Sequence, residues 1–181
     1  MPLNYIANSA VRSASGHTLP VIDPADGQTY DTIERSNAAD VDAAVQAARQ
    51  CFEGPWGRLS AADRGRLLMK LSAKVAEHAD ELAAIEQRDC GKPTKQAKAD
   101  ALALVRYFEF YAGAGDKLHG DTIPYLDGYS VLTWREPHGV TGHVIPWNYP
   151  MQIFGRSVGG ALAAGNVCVV KPSEDACLSL I

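Results

Sequence analysis

The sequence lacks the long apolar run, the paired cysteines and the basic clusters that mark several large classes of protein. No apolar stretch approaches the roughly 18 residues of a membrane span. The four cysteines and five histidines show neither C-x-x-C nor H-x-x-x-H spacing, so we expect no metal site. Because 17 basic residues face 21 acidic ones without clustering, we expect neither nucleic acid nor an anionic membrane as a partner.

The first 20 residues also lack a basic segment followed by an apolar one, so we expect no secretory signal and a cytoplasmic protein. What is present is ordinary for a globular chain: 181 residues, 46 % of them apolar and 21 % charged. That length is enough for one domain with its own core. In a reducing compartment the cysteines are expected to act as small apolar residues.

Residue periodicity predicts a hairpin, three helices and a second hairpin before residue 140. The first hairpin turns at 23–28, where Asp-Pro and Asp-Gly favour turns. The first helix is capped by Asn37 or Asp40, and the third by Thr94. The second helix starts after Ser60 with a break near 78–80, and the second hairpin joins the runs 120–126 and 129–137 through Asp127-Gly128. The residues expected to face the core are Val41, Ala44, Val45, Ala48, Phe52, Leu67, Leu68, Leu71, Val75, Leu82, Ile85, Ala101, Leu104, Val105, Phe108 and Tyr111.

Residues 140–170 predict one strand-helix-strand unit. The strand 140–145 is followed by a helix over 151–164 and a second strand over 167–170, with another helix starting near the end of the sequence. Crossover connections of this kind place the two strands parallel, so their carboxyl ends meet at one edge of the sheet. Doubly wound sheets bind their ligands at that edge.

Polar residues follow both strands at that edge, and each has two interpretations. Asn148 can donate hydrogen bonds from its amide to an oxyanion, or it can simply form a turn before the helix. Lys171 can bind a phosphate or ribose hydroxyls, or it can be a solvated lysine. Glu174 can accept hydrogen bonds from an adenosine ribose, or it can stabilise the start of a helix. Pro146 and Trp147 form either the apolar wall of such a site or part of the core.

Two stretches resemble the aldehyde dehydrogenase superfamily closely. "REPHGVTGHVIPWNYP" and "GGALAAGNVCVVKPSE" match motifs of that family in the same order. Gly160 departs from the pattern, because the family usually has proline there. Upstream, "FEGPWGRLSAADRGRLLMKLSAKV", "CGKP" and "FYAG" are also similar to the family, so the resemblance begins near residue 20.

The resemblance implies an α/β fold: the N-terminal part of the aldehyde dehydrogenase fold, with an incomplete Rossmann-like parallel sheet and an oligomerisation-type β-hairpin. It implies that 1–119 form the N-terminal helical and β part of the cofactor-binding domain. Residues 120–138 would form the hairpin, and 139–181 the truncated first βαβ unit. The catalytic domain would be absent. A homodimer or homotetramer is implied for the full-length protein.

The resemblance also implies roles for the residues at the strand ends. Asn148 matches the asparagine that, together with a backbone N–H, holds the oxyanion of a thiohemiacetal, and it also borders the cofactor. The nicotinamide side of the pocket would be lined by Val144, Ile145, Pro146 and Trp147. The adenosine ribose would be bound by Lys171 and Glu174, with Ser173 between them. The implied reaction oxidises an aldehyde to a carboxylic acid with NAD, NADP being possible.

Three of the family's motifs do not occur in these residues: a Gly-containing loop, the general-base glutamate and the nucleophilic cysteine. We expect none of the four cysteines to be that nucleophile: Cys168 lies in a buried strand and Cys177 in a helix, without a base beside them. "GRSVGG" is not a dinucleotide fingerprint, because its small residues lie mid-helix and indicate close packing. Two hypotheses remain open: an inactive N-terminal piece of an NAD(P)-dependent enzyme, or a short non-catalytic product that partners a full-length subunit.

Overall fold

The structure is a computed structural model that describes residues 2–181, and within them it has five α-helices and eight short strands. The helices are Ala38–Glu53 (α1), Ala61–Glu77 (α2), Ala79–Cys90 (α3), Thr94–Ala112 (α4) and Pro150–Ala163 (α5). The strands are Asn4–Ile6 (β1), Ser9–Val11 (β2), Thr18–Ile22 (β3), Thr29–Glu34 (β4), Thr122–Ile123 (β5), Val131–Leu132 (β6), Val140–Ile145 (β7) and Val167–Pro172 (β8). None of the helices in this described part is long and apolar enough to cross a membrane.

The main core lies between α2, α3, α4 and α5. Its buried residues are Leu68, Val75, Ala79, Ala83, Ala97, Ala101, Leu104, Phe108, Met151 and Ala163. The predicted burial of Leu68, Val75, Ala101, Leu104 and Phe108 is therefore confirmed. The predicted burial of Val41, Leu67 and Leu71 is wrong, since their exposed fractions are 51 %, 43 % and 38 %. On α2 the buried stripe is narrow and runs through Leu68, Ser72 and Val75, so the two leucines lie beside it.

The helix starts show which capping signals work in this chain. Asn37 caps α1 and forms a capping box with Asp40, and Ser60 caps α2 by accepting the N–H of Asp63, as predicted. The predicted break falls at His78, which separates α2 from α3. The prediction for Thr94 is wrong, because that residue is already helical and Pro93 takes the cap position without a side-chain bond.

The hairpins are shorter than their sequence runs suggest. β3 and β4 pair antiparallel around 23–28, as predicted, and a further hairpin of β1 and β2 was not predicted. β5 and β6 confirm the second hairpin, but each strand pairs only two residues, Thr122 with Leu132 and Ile123 with Val131. The residue after β5 is Pro124, which has no N–H to extend the ladder.

The strand-helix-strand unit is confirmed by the parallel pairing of β7 with β8. Val140 lies opposite Val167, and the register continues to Ile145 opposite Pro172. The helix predicted after β8 is wrong: a bridge between Ser173 and Ala176 and a short 3-10 turn at Leu178–Leu180 take its place.

A tertiary contact explains why no helix forms there. The backbone N–H of Leu178 donates to Asp89 Oδ2 at 2.8 Å, and the neighbouring Cys177 is fully buried. The end of the chain is therefore held against α3 and not by a helical ladder of its own.

Two glycines let α5 approach α4 closely. A Cβ on Gly155 would lie 2.8 Å from Leu104 Cδ1, and one on Gly159 would lie 2.7 Å from Tyr111 Cδ2. This confirms that the glycines of "GRSVGG" serve helix packing. Only residues 146–149 separate β7 from α5, so this packing also fixes the position of that short segment.

Candidate functional site

The carboxyl ends of β7 and β8 meet at one edge, which we call the strand-end edge. It comprises residues 146–148 after β7 and 171–174 at and after the end of β8. Since Ile145 pairs with Pro172, the two segments leave the sheet side by side. Two polar segments more than 20 residues apart in sequence are thus brought together, as the strand-helix-strand pattern predicted.

The apolar residues predicted at this edge differ in exposure. Val144 is 78 % exposed and Trp147 is 59 % exposed, whereas Ile145 is 1 % exposed. Successive residues of a strand point to opposite faces, so Ile145 packs into the core while Val144 faces solvent. Pro146 is exposed beside Trp147. The open apolar surface is therefore formed by Pro146 and Trp147 of the edge together with Val144 of the adjoining strand β7.

Lys171 and Glu174 form an ion pair at the other half of the edge. Lys171 Nζ lies 2.7 Å from Glu174 Oε2, and both side chains are more than half exposed. This hydrogen bond lowers the pKa of the Glu174 carboxyl below its ordinary value, so the group is charged at neutral pH. Both side chains are open to solvent and to a ligand.

Glu174 lies in a turn and not at the start of a helix. Ser173 Oγ accepts the N–H of Asp175 at 3.3 Å, and the Ser173 carbonyl accepts the N–H of Ala176. The alternative interpretation of Glu174 as a helix-start acid therefore has no helix to support it.

The 146–150 loop, which carries Asn148, is held from below by residues of α3 and the α3–α4 connection. Lys92 Nζ donates to the backbone oxygen of Asn148 at 3.3 Å, and Cys90 Sγ contacts the backbone oxygen of Trp147 at 3.3 Å. The side chain of Asn148 is exposed. The backbone is thus fixed on one side while the amide is left available on the other.

Beneath this loop lies a buried charged group, the Lys92 cluster, which consists of Glu86, Lys92, Gln96, Asp100 and Gln152. The carboxylates of Glu86 and Asp100 are fully buried and lie 2.7 Å and 2.8 Å from Lys92 Nζ. Both amides donate to Asp100 Oδ1 at 2.7 Å. Buried charges persist in a protein only when they are paired in this way.

The pKa values within the cluster follow from burial and pairing. Burial raises the pKa of Glu86, and Lys92 offsets this only in part. Burial also raises the pKa of Asp100, but the hydrogen bonds from Lys92 and the two glutamines lower it by more, so the pKa falls. Burial lowers the pKa of Lys92, but the hydrogen bonds to Asp100 and Glu86 raise it by more, so the pKa rises. The ammonium is therefore charged at neutral pH.

The Lys92 cluster was not predicted from the sequence, although the positions of its two carboxylates carry a signal. Glu86 stands four residues after Leu82, and Asp100 stands four residues before Leu104. Both carboxylates thus fall in line with apolar positions of their helices. A charged residue on an apolar stripe points to a buried partner.

Three of the four cysteines are poor nucleophiles in this setting. Burial raises the pKa of the Cys90 thiol to about 12 and that of the Cys177 thiol to about 12, and it also raises the pKa of Cys168. These groups are thiols at neutral pH. Cys177 precedes a 3-10 turn, so its predicted placement in a helix is wrong. Among residues 2–181, no group of three or more His, Cys, Asp or Glu side chains is placed to hold a metal ion.

A groove of about 1030 Å³ runs between the N-terminal segment, α1 and β8. Lys171 and Glu174 belong to its lining, whereas Trp147 and Asn148 do not. The strand-end edge is therefore an open surface that only partly coincides with this groove.

Comparison with known proteins agrees with this geometry. A sequence model described as the aldehyde dehydrogenase family matches residues 11–181. The chain is 44 % identical over 171 residues to the mitochondrial aldehyde dehydrogenase family 2 member B4 of Arabidopsis thaliana, an alignment that covers 93 % of this chain and 32 % of the relative. The chain thus spans about a third of the length of the curated relatives that it matches.

Solved structures agree as well. A Burkholderia cenocepacia protein assigned to the aldehyde dehydrogenases superposes with a TM-score of 0.96 at 67 % identity, covering 98 % of this chain and 38 % of that one. The NAD⁺ complex of a Bacillus cereus aldehyde dehydrogenase superposes with a TM-score of 0.95 at 39 % identity, covering 99 % and 37 %. The fold of residues 2–181 is that of the corresponding part of these enzymes, and the chain belongs to the aldehyde dehydrogenase family.

Proposed function

We propose that this chain is the N-terminal part of the cofactor-binding domain of an NAD-dependent enzyme that oxidises an aldehyde to a carboxylic acid. The observation that carries the proposal is the strand-end edge. It places a neutral amide donor, Asn148, at the same edge of the sheet as an exposed carboxylate and ammonium, Glu174 and Lys171, and this edge lies at the carboxyl ends of two parallel strands. Ligand binding at this place is the rule for open α/β sheets.

Asn148 is suited to hold the oxyanion of the reaction. When a cysteine thiolate attacks the aldehyde carbon, the carbonyl π electrons move to oxygen, and the resulting thiohemiacetal carries a negative charge there. The Asn148 amide donates N–H bonds and brings no charge of its own to an exposed place beyond β7. We expect the attacking cysteine and the general-base glutamate to lie beyond residue 181, because the motifs that carry them in the family do not occur in these residues. The raised pKa values of Cys90 and Cys177 also leave those two thiols protonated.

The exposed ion pair fits the ribose of a dinucleotide. A carboxylate accepts hydrogen bonds from ribose hydroxyls, and an adjacent ammonium donates to ribose or phosphate oxygens. Glu174 and Lys171 offer both and are open to solvent, while Ser173 sits between them. Val144, Pro146 and Trp147 would form the apolar wall on the nicotinamide side, and Ile145 would support it from the core. The cofactor, when bound, supplies the hydride acceptor. NAD⁺ is bound in the structure of the Bacillus cereus relative, and NADP is the alternative cofactor.

The same proposal assigns a part to each segment. Residues 1–119 form the helical and β part of the cofactor-binding domain, 120–138 an oligomerisation hairpin, and 139–181 the first βαβ unit. The hairpin supports assembly into a homodimer or homotetramer because its large apolar side chains are exposed. These are Ile123, Tyr125, Leu126, Tyr129, Leu132 and Trp134.

The hairpin is also the only observation that favours the second candidate, a non-catalytic partner of a full-length subunit. Reading the DNA downstream of codon 181 separates the two. A frame that continues into a cysteine motif supports the enzyme, and an in-frame stop codon supports the partner.

The activity itself is tested on the product of the complete open reading frame and, in parallel, on the 181-residue polypeptide. We expect the complete protein to form reduced NAD and carboxylic acid in equal amounts from an aldehyde, and the shorter polypeptide to form neither. A complete protein that binds NAD but oxidises none of a panel of aliphatic and aromatic aldehydes would contradict the proposal. Turnover by the 181-residue polypeptide would contradict the placement of the nucleophile.

A further inference from the structure

All three N–H groups of the Lys92 ammonium have a hydrogen-bond acceptor. A lysine has three N–H donors. Here they meet Glu86 Oε1 at 2.7 Å, Asp100 Oδ2 at 2.8 Å and the backbone oxygen of Asn148 at 3.3 Å. The lysine side chain is 9 % exposed and both carboxylates are 0 % exposed. Two buried carboxylates therefore set the direction in which the third hydrogen bond reaches the loop.

The cluster also holds the residues that follow Asn148. The ammonium lies 4.8 Å from the centroid of the Tyr149 ring, within cation–π range. Tyr149 caps α5 without a side-chain bond, and the next residue is a proline, which has no N–H. Glu86 Oε2 accepts the first available N–H of the helix, that of Met151, at 3.1 Å. The same buried group thus contacts the backbone around Asn148 at two points, Asn148 and Met151, and the ring of Tyr149 between them.

A second lysine-carboxylate pair, between Lys98 on α4 and Asp80 on α3, shows that such pairing does not require burial. Lys98 lies 2.7 Å from Asp80, with both side chains more than half exposed. Burial of Lys92 and two carboxylates is costly, and a well-packed apolar group serves stability as well or better. What an apolar group cannot do is donate a hydrogen bond to the carbonyl of Asn148.

We propose that Lys92 is a positioning residue for Asn148: it fixes the backbone from which the oxyanion-binding amide projects. The inference rests on the proposed function of Asn148. An oxyanion donor must be held to within about 0.5 Å of its productive position. A misplacement of about 1 Å costs on the order of 10²-fold in rate.

The test uses the complete enzyme and variants of matched charge. Lys92→Met alone leaves two buried carboxylates without a cation, and it can prevent folding. Lys92→Met combined with Asp100→Asn removes one charge of each sign, so the net charge of the cluster is unchanged. Lys98→Met removes the lysine-carboxylate pair between α4 and α3 without changing a residue that contacts the 146–150 loop, and it serves as the control. Lys92→Arg keeps a cation and tests for partial rescue.

Each variant is measured alone and together with Asn148→Ala. We expect the charge-matched Lys92 variant to lower kcat/KM for the aldehyde by on the order of 10- to 100-fold, mainly through kcat. In the Asn148→Ala background the same change should cost less than about threefold, because residues that act through one another are non-additive. The Kd for NAD, measured by fluorescence, should stay unchanged, and Lys98→Met should match the parent enzyme.

The two proposals fail in different ways. If Asn148→Ala leaves kcat/KM intact, the proposed function of Asn148 is wrong. Suppose that Asn148→Ala lowers kcat/KM but the Lys92 variant does not. Lys92 then has only a structural role. The same conclusion follows if the fold-losses in kcat/KM of the two variants multiply fully when they are combined. If the charge-matched variant does not fold, Lys92→Arg is measured alone and together with Asn148→Ala. Full multiplication of the two losses in kcat/KM again overturns the inference.

Discussion

At the scale of single residues, the two halves of the strand-end edge are held in different ways. The backbone oxygen of Asn148 accepts one charged hydrogen bond from Lys92, whose ammonium is held in place by buried carboxylates. Glu174 is held only by an exposed ion pair with Lys171, which is weak in water and easily exchanged for a ligand. Fixed geometry suits a donor that acts in a transition state, whereas an adaptable carboxylate suits ground-state binding of a cofactor.

Glu174 should set the preference between the two nicotinamide cofactors. Its carboxylate accepts hydrogen bonds from the 2′- and 3′-hydroxyls of NAD and repels the 2′-phosphate of NADP, while Lys171 partly offsets that repulsion. We expect the complete enzyme to prefer NAD without excluding NADP, and Glu174→Gln to shift the ratio of kcat/KM values toward NADP. The Lys74–Glu77 pair on α2 has the same spacing, so Glu77→Gln is the matched control. An unchanged ratio in Glu174→Gln would show that the carboxylate does not face the ribose.

At the scale of secondary-structure elements, side chains at helix starts join segments distant in sequence. Asp40, in the first turn of α1, accepts hydrogen bonds from the N–H groups of Asn37 and Ala14 and from the Ser13 hydroxyl, at 2.7–2.9 Å. One carboxylate thus completes the capping box and attaches the segment before β3 to the helix. The groove beside β8 is lined in part by these same elements, so their attachment shapes one wall of it.

The stability that this attachment provides should depend on pH. The Ala14 N–H, followed by the other donors, lowers the pKa of Asp40 below its ordinary value of 3.8. A lowered folded-state pKa means that the stabilisation is complete above the ordinary value and is lost as the pH falls through the lowered one. We expect Asp40→Ala to lower the Tm at pH 7, and the Tm difference from the parent to begin to narrow as the pH falls below about 4. The exposed Asp42 on the same helix supplies the control, Asp42→Ala. A Tm difference that stays constant down to pH 3 would rule out the carboxylate as its source.

At the scale of the whole molecule, periodicity and turn chemistry predicted most of the elements but not the contacts between distant ones. Ser60 and Asn37 cap helices through residues two or three positions away, so their roles can be inferred locally. The 3-10 turn near residue 178 forms because Asp89 accepts a hydrogen bond there from 89 positions away. No local pattern carries that information.

The candidate site divides in the same way. The strand ends could be placed from the sequence because a strand-helix-strand crossover makes its two strands parallel, so that their carboxyl ends lie at one edge. The Lys92 cluster could not, since its partners come from α3, α4 and α5, and only tertiary packing brings them together.

The 181-residue polypeptide alone should associate with itself. In the described part of the chain β8 pairs only with β7, and its residues Val167–Val170 are Val, Cys, Val and Val. An unpaired apolar strand edge favours pairing with another chain. We expect light scattering to show oligomers that grow with concentration, and Val169→Lys to reduce them. A monomer that unfolds in one cooperative transition would count against this expectation.

The most direct test of the central claim, that the strand-end edge holds the reacting oxygen beyond β7, is the kcat/KM of Asn148→Ala in the complete enzyme. We expect kcat/KM to fall by on the order of 10²- to 10³-fold, the usual effect of removing one oxyanion donor. The Kd for NAD and the Tm should change little, because the Asn148 side chain is exposed and the backbone contact with Lys92 remains. An unchanged kcat/KM with a large loss of NAD affinity would contradict the account and leave Asn148 as a structural corner.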